Sequence, residues 1–289
     1  MTTESLFETH RPRLFGLAYK LLGSRSDAED VVQDAWLRWR QTDRSAIRDA
    51  EAWLVTATTR LGIDRLRLAR TQRETYTGPW LPEPLSVDES PNPERGAEIA
   101  EQVSLAFLSL LEKLGPEERA AFLLKEAFDY DYAQIAELIG HSETNCRQMV
   151  HRARTRLQVE RPRFAVTPTR HRQLLERFMH AASNGDEAAI VGLLDTNARL
   201  VSDGGGKVRA VLRPLHGAER IARLYWSIAR RGGAQIEWQL GSVNGEPALL
   251  RRHEGRLVSI TTITIDNDRI TQVLSVLNPD KLQGLMHSA

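Results

Sequence analysis

Residues 131–158 read DYAQIAELIGHSETNCRQMVHRARTRLQ, and this stretch decides how the middle of the chain is built. Asp131 followed by Gln134 is a capping-box pattern, so a short helix starts there and Gly140 stops it. Ser142 is placed to cap a longer helix. Two helices joined by Gly140-His141-Ser142 predict a helix-turn-helix. At about 100° per residue, Cys146, Met149, Val150, Ala153 and Leu157 share one side of the second helix, a packing face. Thr144, Arg147, Gln148, His151, Arg152 and Thr155 share the other, an outer face of forked and amide donors with no carboxylate. Arg matches guanine O6/N7 and Gln matches adenine N6/N7 in the major groove, so the outer face points to duplex DNA. Arg154 and Arg156, with Arg161 and Arg163 beyond them, are placed to meet phosphates. The plainer reading is a solvated basic helix; the capped helix and short turn before it favour DNA. Cys146, the one cysteine of the chain, reads as a small core residue, and a single cysteine excludes an internal disulfide.

Outward from this motif, Pro116 sits where a first helical residue belongs, with Glu117 and Glu118 near the positive helix end. Earlier still, residues 4–70 read as helices. Leu6, Leu14, Leu17, Ala18, Leu21 and Leu22 keep helical spacing up to Gly23. Ser26 and Glu29 form a second capping-box pattern that starts the next helix, whose apolar side is Val31, Val32, Ala35, Trp36 and Trp39. The polar run Gln41–Arg48 breaks it, and a third helix runs from about Ala50 to Arg70. Between the helical parts lie Pro79, Pro82, Pro84, Pro91 and Pro93, a density that disfavours helix and predicts an extended linker. A passive spacer gains nothing from Trp80-Leu81-Pro82-Glu83-Pro84-Leu85, so this segment is expected to dock.

After Pro168 the texture changes. Two helices, about 169–183 and 186–194, precede strand-like runs at Ala198–Ser202, Val208–Leu212, Ala234–Leu240, Ala248–His253, Val258–Ile265 and Ile270–Val276. A helix at about Ala218–Arg231 interrupts them, and Asn244-Gly245 and Glu254-Gly255 mark turns. This pattern predicts an α+β domain with a mostly antiparallel sheet.

The whole chain, 289 residues with 27% charged and 41% hydrophobic residues, suits about two domains of an ordinary globular protein. A net charge of +1 confines any nucleic-acid site to a local patch. The N-terminal MTTESLFETHRPRL lacks the apolar core of a signal peptide, and no run approaches a membrane span, so a cytoplasmic protein is expected.

Asp27-Ala-Glu-Asp-Val-Val-Gln-Asp-Ala-Trp-Leu-Arg-Trp39 and Ala52-Trp-Leu-Val-Thr-Ala-Thr-Thr-Arg-Leu-Gly-Ile-Asp-Arg-Leu66 resemble region 2 of extracytoplasmic-function (ECF) sigma factors. Leu114-Gly-Pro-Glu-Glu-Arg-Ala-Ala-Phe-Leu-Leu124 with the helix-turn-helix resembles region 4. Trp80-Leu-Pro-Glu-Pro84, Asp203-Gly-Gly-Gly-Lys207 and Asn278-Pro-Asp-Lys-Leu282 look like signatures of the group with a fused SnoaL-like domain, ECF41. The resemblance implies a multidomain fold: sigma region 2 at 1–72, a linker at 73–95, region 4 at 96–163 and a SnoaL-like, ketosteroid-isomerase-like α+β cone at 168–289. It implies promoter-specific transcription initiation with core RNA polymerase. Asp27, Glu29, Asp30, Gln33, Asp34 and Trp36 would dock on the β′ clamp helices, with the β flap a second contact. Arg44, Ile47, Arg48 and Trp53 would meet the −10 element, where a flipped base can enter a pocket. Arg60, Arg65, Arg67 and Arg70 would touch phosphates, and the helix 143–158 would read the −35 element. The linker would run through the polymerase towards its RNA exit path.

Relatives of the C-terminal fold include enzymes with a buried Asp or His. Asp203, His216, His253 and Asp266 are candidates here, but no spacing joins them, so no catalytic residue, cofactor or metal is assigned. Asp203-Gly204-Gly205-Gly206-Lys207 lacks the spacing of a phosphate loop and reads as a flexible turn. With Asn278, Pro279, Asp280, Lys281 and Leu282 it would lie near Trp80, Leu81 and Pro82, forming a built-in switch. Trp226 and Trp238 either line a ligand cavity for a small molecule or pack in the core. The rival readings are a dimeric helix-turn-helix regulator with a sensing domain, and an enzyme fused to a DNA anchor. Acidic Asp27–Asp34 and the second helical module argue against the first.

Overall fold

Gly23 sets the first corner of the fold. Its φ of 67° ends α1 (Thr3–Leu22), and its amide bonds the Tyr19 carbonyl at 2.7 Å. Ser24 follows in extended conformation and caps α2 (Arg25–Gln41), its hydroxyl accepting from the Asp27 amide at 3.3 Å. The cap therefore falls two residues before the expected Ser26, because the left-handed glycine brings Ser24, not Ser26, to the helix entrance. Asp49 caps α3 (Ala50–Glu74), which continues past the expected end at Arg70. The computed structural model describes residues 3–43, 47–85, 87–88, 104–158, 166–232, 236–283 and 285.

Two units make up the chain: Met1–Thr75 with Leu108–Arg161, and Tyr76–Phe107 with Pro162–Ala289. In the first, α1, α2 and α3 bury Leu14, Leu17, Leu21, Val31, Leu54 and Leu66 against one another. After α4 (Leu105–Leu111), whose last residues belong to this unit, Pro116 opens α5 (Pro116–Glu126) as expected. The capping box of α6 (Tyr132–Ile139) is reciprocal: the Gln134 amide bonds Asp131 at 2.7 Å and the Asp131 amide bonds Gln134 at 2.9 Å. Gly140, at φ 74°, ends α6, and the Ser142 hydroxyl caps α7 (Glu143–Gln158).

The second unit carries α8 (Pro168–Asn184) and α9 (Glu187–Leu193), then β2 (Leu194–Asp203), β3 (Leu215–His216) and α10 (Ala218–Gly232). Strands β4 (Ile236–Val243), β5 (Glu246–His253), β6 (Arg256–Asp266) and β7 (Arg269–Val276) follow, then α11 (Pro279–Gln283). With β1 (Val87–Asp88), contributed by the proline-rich segment, the strand order is β1-β4-β5-β6-β7-β2-β3. Only the β2–β7 pairing is parallel among the described strands. The ladder register shifts at Arg251/Arg252 and at Thr264/Ile265, irregularities of the kind that bend a sheet. Helices α8, α9 and α10 bury Leu175, Phe178, Ile190, Ile221 and Tyr225 against Leu249, Ile263 and Val273 of the sheet. The architecture is the mostly antiparallel α+β layer expected, with one correction. Val208–Leu212 is not a strand: the Val211 amide bonds the Ser202 hydroxyl at 2.9 Å instead of a ladder, and Leu212 is 63% exposed.

Candidate functional site

On α7 the two faces separate as the helical wheel predicts. Cys146, Met149, Val150, Ala153 and Leu157 are buried, while Thr144, Arg147, Gln148, His151, Arg152 and Thr155 are exposed. The outer face is not free of carboxylate, however. Arg147 pairs with Glu143 one turn earlier and lies 4.5 Å from the Tyr132 ring centroid. Arg156 and Arg152 reach Glu118 at 2.7 and 3.6 Å, and Arg154 bonds Glu126. Glu118 and Glu126 come from α5 and Glu143 from α7 itself, so the basic face is partly neutralised from within.

The region 2 arginines are also held internally. Arg60 donates to the Leu138 and Glu137 carbonyls at 2.9 and 3.1 Å, at the C-terminal end of α6, where carbonyls lack helical partners. Arg65 bonds Asp27 and Asp30, and these carboxylates hold the guanidinium more firmly protonated. Arg67 bridges Asp64 and Glu117, and Arg70 reaches the Leu114 carbonyl. Glu29, Asp30, Gln33 and Asp34 are exposed along α2; Asp27 is half-buried, as is Trp36, which tilts on Phe7 at 4.9 Å. Arg44 lies outside the described residues. Ile47, Arg48 and Trp53 line a cavity of about 600 Å³ together with Tyr130, Gln134 and Glu137. In the same unit, the fully buried Arg119 donates to the Leu21 carbonyl at 2.6 Å and pairs with Glu112, which also takes Arg73.

Within the second unit the three signature segments meet at Asp203, whose exposure is 0%. Its two oxygens accept from the Tyr76 hydroxyl at 2.5 Å, the Leu81 amide at 2.9 Å, the Gly205 amide at 3.0 Å and the Lys281 ammonium at 2.7 Å. Lys281, 9% exposed, also donates to the Leu81 carbonyl and stands 4.1 Å over the Trp80 ring. Asn278 donates to the Tyr76 hydroxyl at 2.9 Å, and Lys207 pairs with Asp280. Burial first, and the Asp203 carboxylate second, push the Tyr76 hydroxyl up, so it stays a donor. The triple glycine is a packed turn rather than a flexible one. At Gly205, φ 60°, a Cβ would collide with the Asn278 amide; at Gly204 it would stand 2.7 Å from the Val208 carbonyl oxygen. Leu81, Pro82 and Pro84 are buried, the Leu85 amide bonds Asn244 at 2.8 Å, and β1 adds to the sheet beside β4.

This geometry matches known proteins along the whole chain. Residues 6–72 match the model of Sigma-70 region 2, and residues 104–157 match Sigma-70, region 4. The ECF RNA polymerase sigma factor SigJ of Mycobacterium tuberculosis is 35% identical over 97% of this chain and 93% of its own length. The chain belongs to the ECF sigma factor family. A second M. tuberculosis relative, described as "Probable ECF RNA polymerase sigma factor SigI", is 32% identical over 96% of this chain and 94% of its own. The crystal structure of M. tuberculosis SigJ superposes with a TM-score of 0.77 at 34% identity, covering 97% of this chain and 98% of that one. As a sigma factor, the protein directs core RNA polymerase to promoters and is a non-catalytic regulator of transcription. Among its described residues, no helix is long and apolar enough to cross a membrane.

In this sigma factor the four candidates for acid–base work are dispersed. Asp203 belongs to the linker grip, His216 is exposed on β3, His253 ends β5 and Asp266 ends β6; none lines the cavity of the C-terminal unit. That cavity is lined by Trp238, whereas Trp226 is 37% exposed beneath Arg230. Sequence reading missed Tyr76 and Glu112, and gave Asn244 only as a turn residue. Each lies outside the motif strings, and its role depends on a partner distant in sequence.

Proposed function

We propose that this sigma factor is controlled through its linker: the C-terminal unit holds Trp80–Leu85, and that grip opposes engagement of polymerase. The observation that carries the reading is Asp203, buried, with the Tyr76 hydroxyl, the Leu81 amide and the Lys281 ammonium on its two oxygens. A linker threaded through polymerase cannot also lie on Asp203. The two arrangements exclude one another, so the free energy that docks the linker is subtracted from polymerase affinity.

In the promoter complex, Asp27, Glu29, Asp30, Gln33, Asp34 and Trp36 dock on the β′ clamp helices, and region 4 meets the β flap. Arg44, Ile47, Arg48 and Trp53 take the −10 element. Thr144, Arg147, Gln148, His151, Arg152 and Thr155 read the −35 element. Arg60, Arg65, Arg67, Arg154 and Arg156 exchange their internal acids and carbonyls for phosphates. Those internal partners reduce sequence-independent affinity, in which phosphate contacts dominate. A small molecule in the C-terminal cavity biases the grip. The test is promoter-specific run-off transcription with core polymerase, comparing the full chain with a chain lacking residues 278–289 and with Trp80→Ala. Both variants are expected to raise polymerase affinity and transcription while the helical modules keep their melting behaviour. Unchanged or weaker polymerase affinity in both variants would sink the proposal.

A further inference from the structure

The cavity of the C-terminal unit, about 450 Å³, lies within the roughly 300–1,000 Å³ typical of small-molecule sites. Its walls are largely apolar, with Leu200, Leu224, Ile228, Trp238 and Leu249 facing inward. Against them stands one charge. Arg251 projects from β5 into the cavity, half-buried, 5.7 Å from the Trp238 ring centroid. Its side chain forms no ion pair or hydrogen bond with any described residue, and its Nε is buried without a partner. Burial pushes the guanidinium down, yet arginine stays charged in proteins. Desolvating a cation without a counter-charge is unfavourable even beside an aromatic ring, so its persistence here calls for an anion. No carboxylate lines the cavity among the described residues, whereas Arg209 and Arg231, both exposed, line it as well. Ser259 adds a hydroxyl to the lining on the sheet, while the Thr261 and Ser275 hydroxyls bond one another at 2.9 Å.

We propose that this cavity binds an amphipathic carboxylate, its apolar body against Leu224, Ile228 and Trp238 and its carboxylate on Arg251. Arginine grips carboxylate with paired donors, and the charge-assisted contact is strongest in a site sheltered from water. Arg209 and Arg231 raise the local positive potential that draws the acid in. This inference rests on the reading that the cavity holds a small molecule, and it adds the chemical class.

The test is calorimetric titration of the full chain with straight-chain and phenyl-substituted carboxylates of six to ten carbons, each beside its alcohol and amine analogue. Carboxylates are expected to bind, with alcohols weaker by roughly 10–100-fold and amines silent. Arg251→Gln is expected to remove the preference for carboxylate while leaving alcohol binding unchanged. Ser227→Phe, which fills the cavity from α10, is expected to abolish both, with circular dichroism melts reporting that each variant folds. Alcohols binding as tightly as acids, or Arg251→Gln leaving the preference intact, would overturn the anionic class while sparing an occupied cavity. No binding by any probe up to millimolar concentration overturns both.

Discussion

At the residue scale, Asp203 and Lys281 carry the greatest consequence per atom. A buried pair is weak evidence for net stability, but removing one partner leaves the other charge uncompensated, at about 3–5 kcal/mol. Asp203→Ala is therefore expected to release the linker locally, seen as faster amide exchange at Leu81; unchanged protection there would count against the grip. Glu246 makes a pH-dependent contribution. Burial raises its carboxyl from 4.5 to about 7 in the fold. The folded value lies above the unfolded one, so its contribution is complete below about pH 4.5 and is lost as pH rises through about 7. Glu246→Gln is expected to raise the melting temperature at pH 8 and leave it nearly unchanged at pH 4.5, with about 1–3 kcal/mol between the two conditions. Equal shifts at both pH values would refute the burial argument. Of these residues, Asp203 and Lys281 stood out in the sequence because they sit in motif strings. Tyr76 and Glu246 did not, since neither periodicity nor spacing marks a side chain whose environment is assembled from segments far apart.

At the element scale, α7 was legible because helical period alone separates its faces: five apolar residues pack and six polar ones face out. The ion pairs of Arg152, Arg154 and Arg156 were not, because Glu118 and Glu126 come from α5. The same limit explains the cap on α2, where Ser24 acts in place of Ser26 once Gly23 turns left-handed. It also explains Val208–Leu212, whose strand-like composition loses to the Ser202–Val211 hydrogen bonds. Two substitutions separate base reading from phosphate contact. Gln148→Ala is expected to lose about 1–3 kcal/mol on the preferred −35 sequence and to relax preference at one position. Arg154→Ala should weaken all sequences alike and reduce the salt slope by about one. Binding of promoter duplexes by the polymerase–sigma complex, across salt concentrations and base variants, checks both. Sequence-uniform loss for Gln148→Ala would remove it from the reading face.

At the scale of the whole molecule, the order of helical modules, linker and α+β domain was readable from proline density and the change of period after Pro168. The assignment of Tyr76–Leu85 to the second unit was not, because docking depends on the surface that receives it. The apolar Trp80, Leu81 and Leu85 and the signature strings at Asp203–Lys207 and Asn278–Leu282 hinted at docking, but nothing marked Tyr76. Under the proposed control, the linker is a segment claimed both by the C-terminal unit and by polymerase. Lys281→Met removes the ammonium that joins Asp203, Trp80 and the Leu81 carbonyl. The most direct test is the affinity of core RNA polymerase for the full chain and for Lys281→Met, measured in parallel with amide exchange in the linker. A released linker and polymerase binding tighter by about tenfold, or about 1.4 kcal/mol, are expected. A released linker with unchanged or weaker polymerase binding would contradict the proposed control.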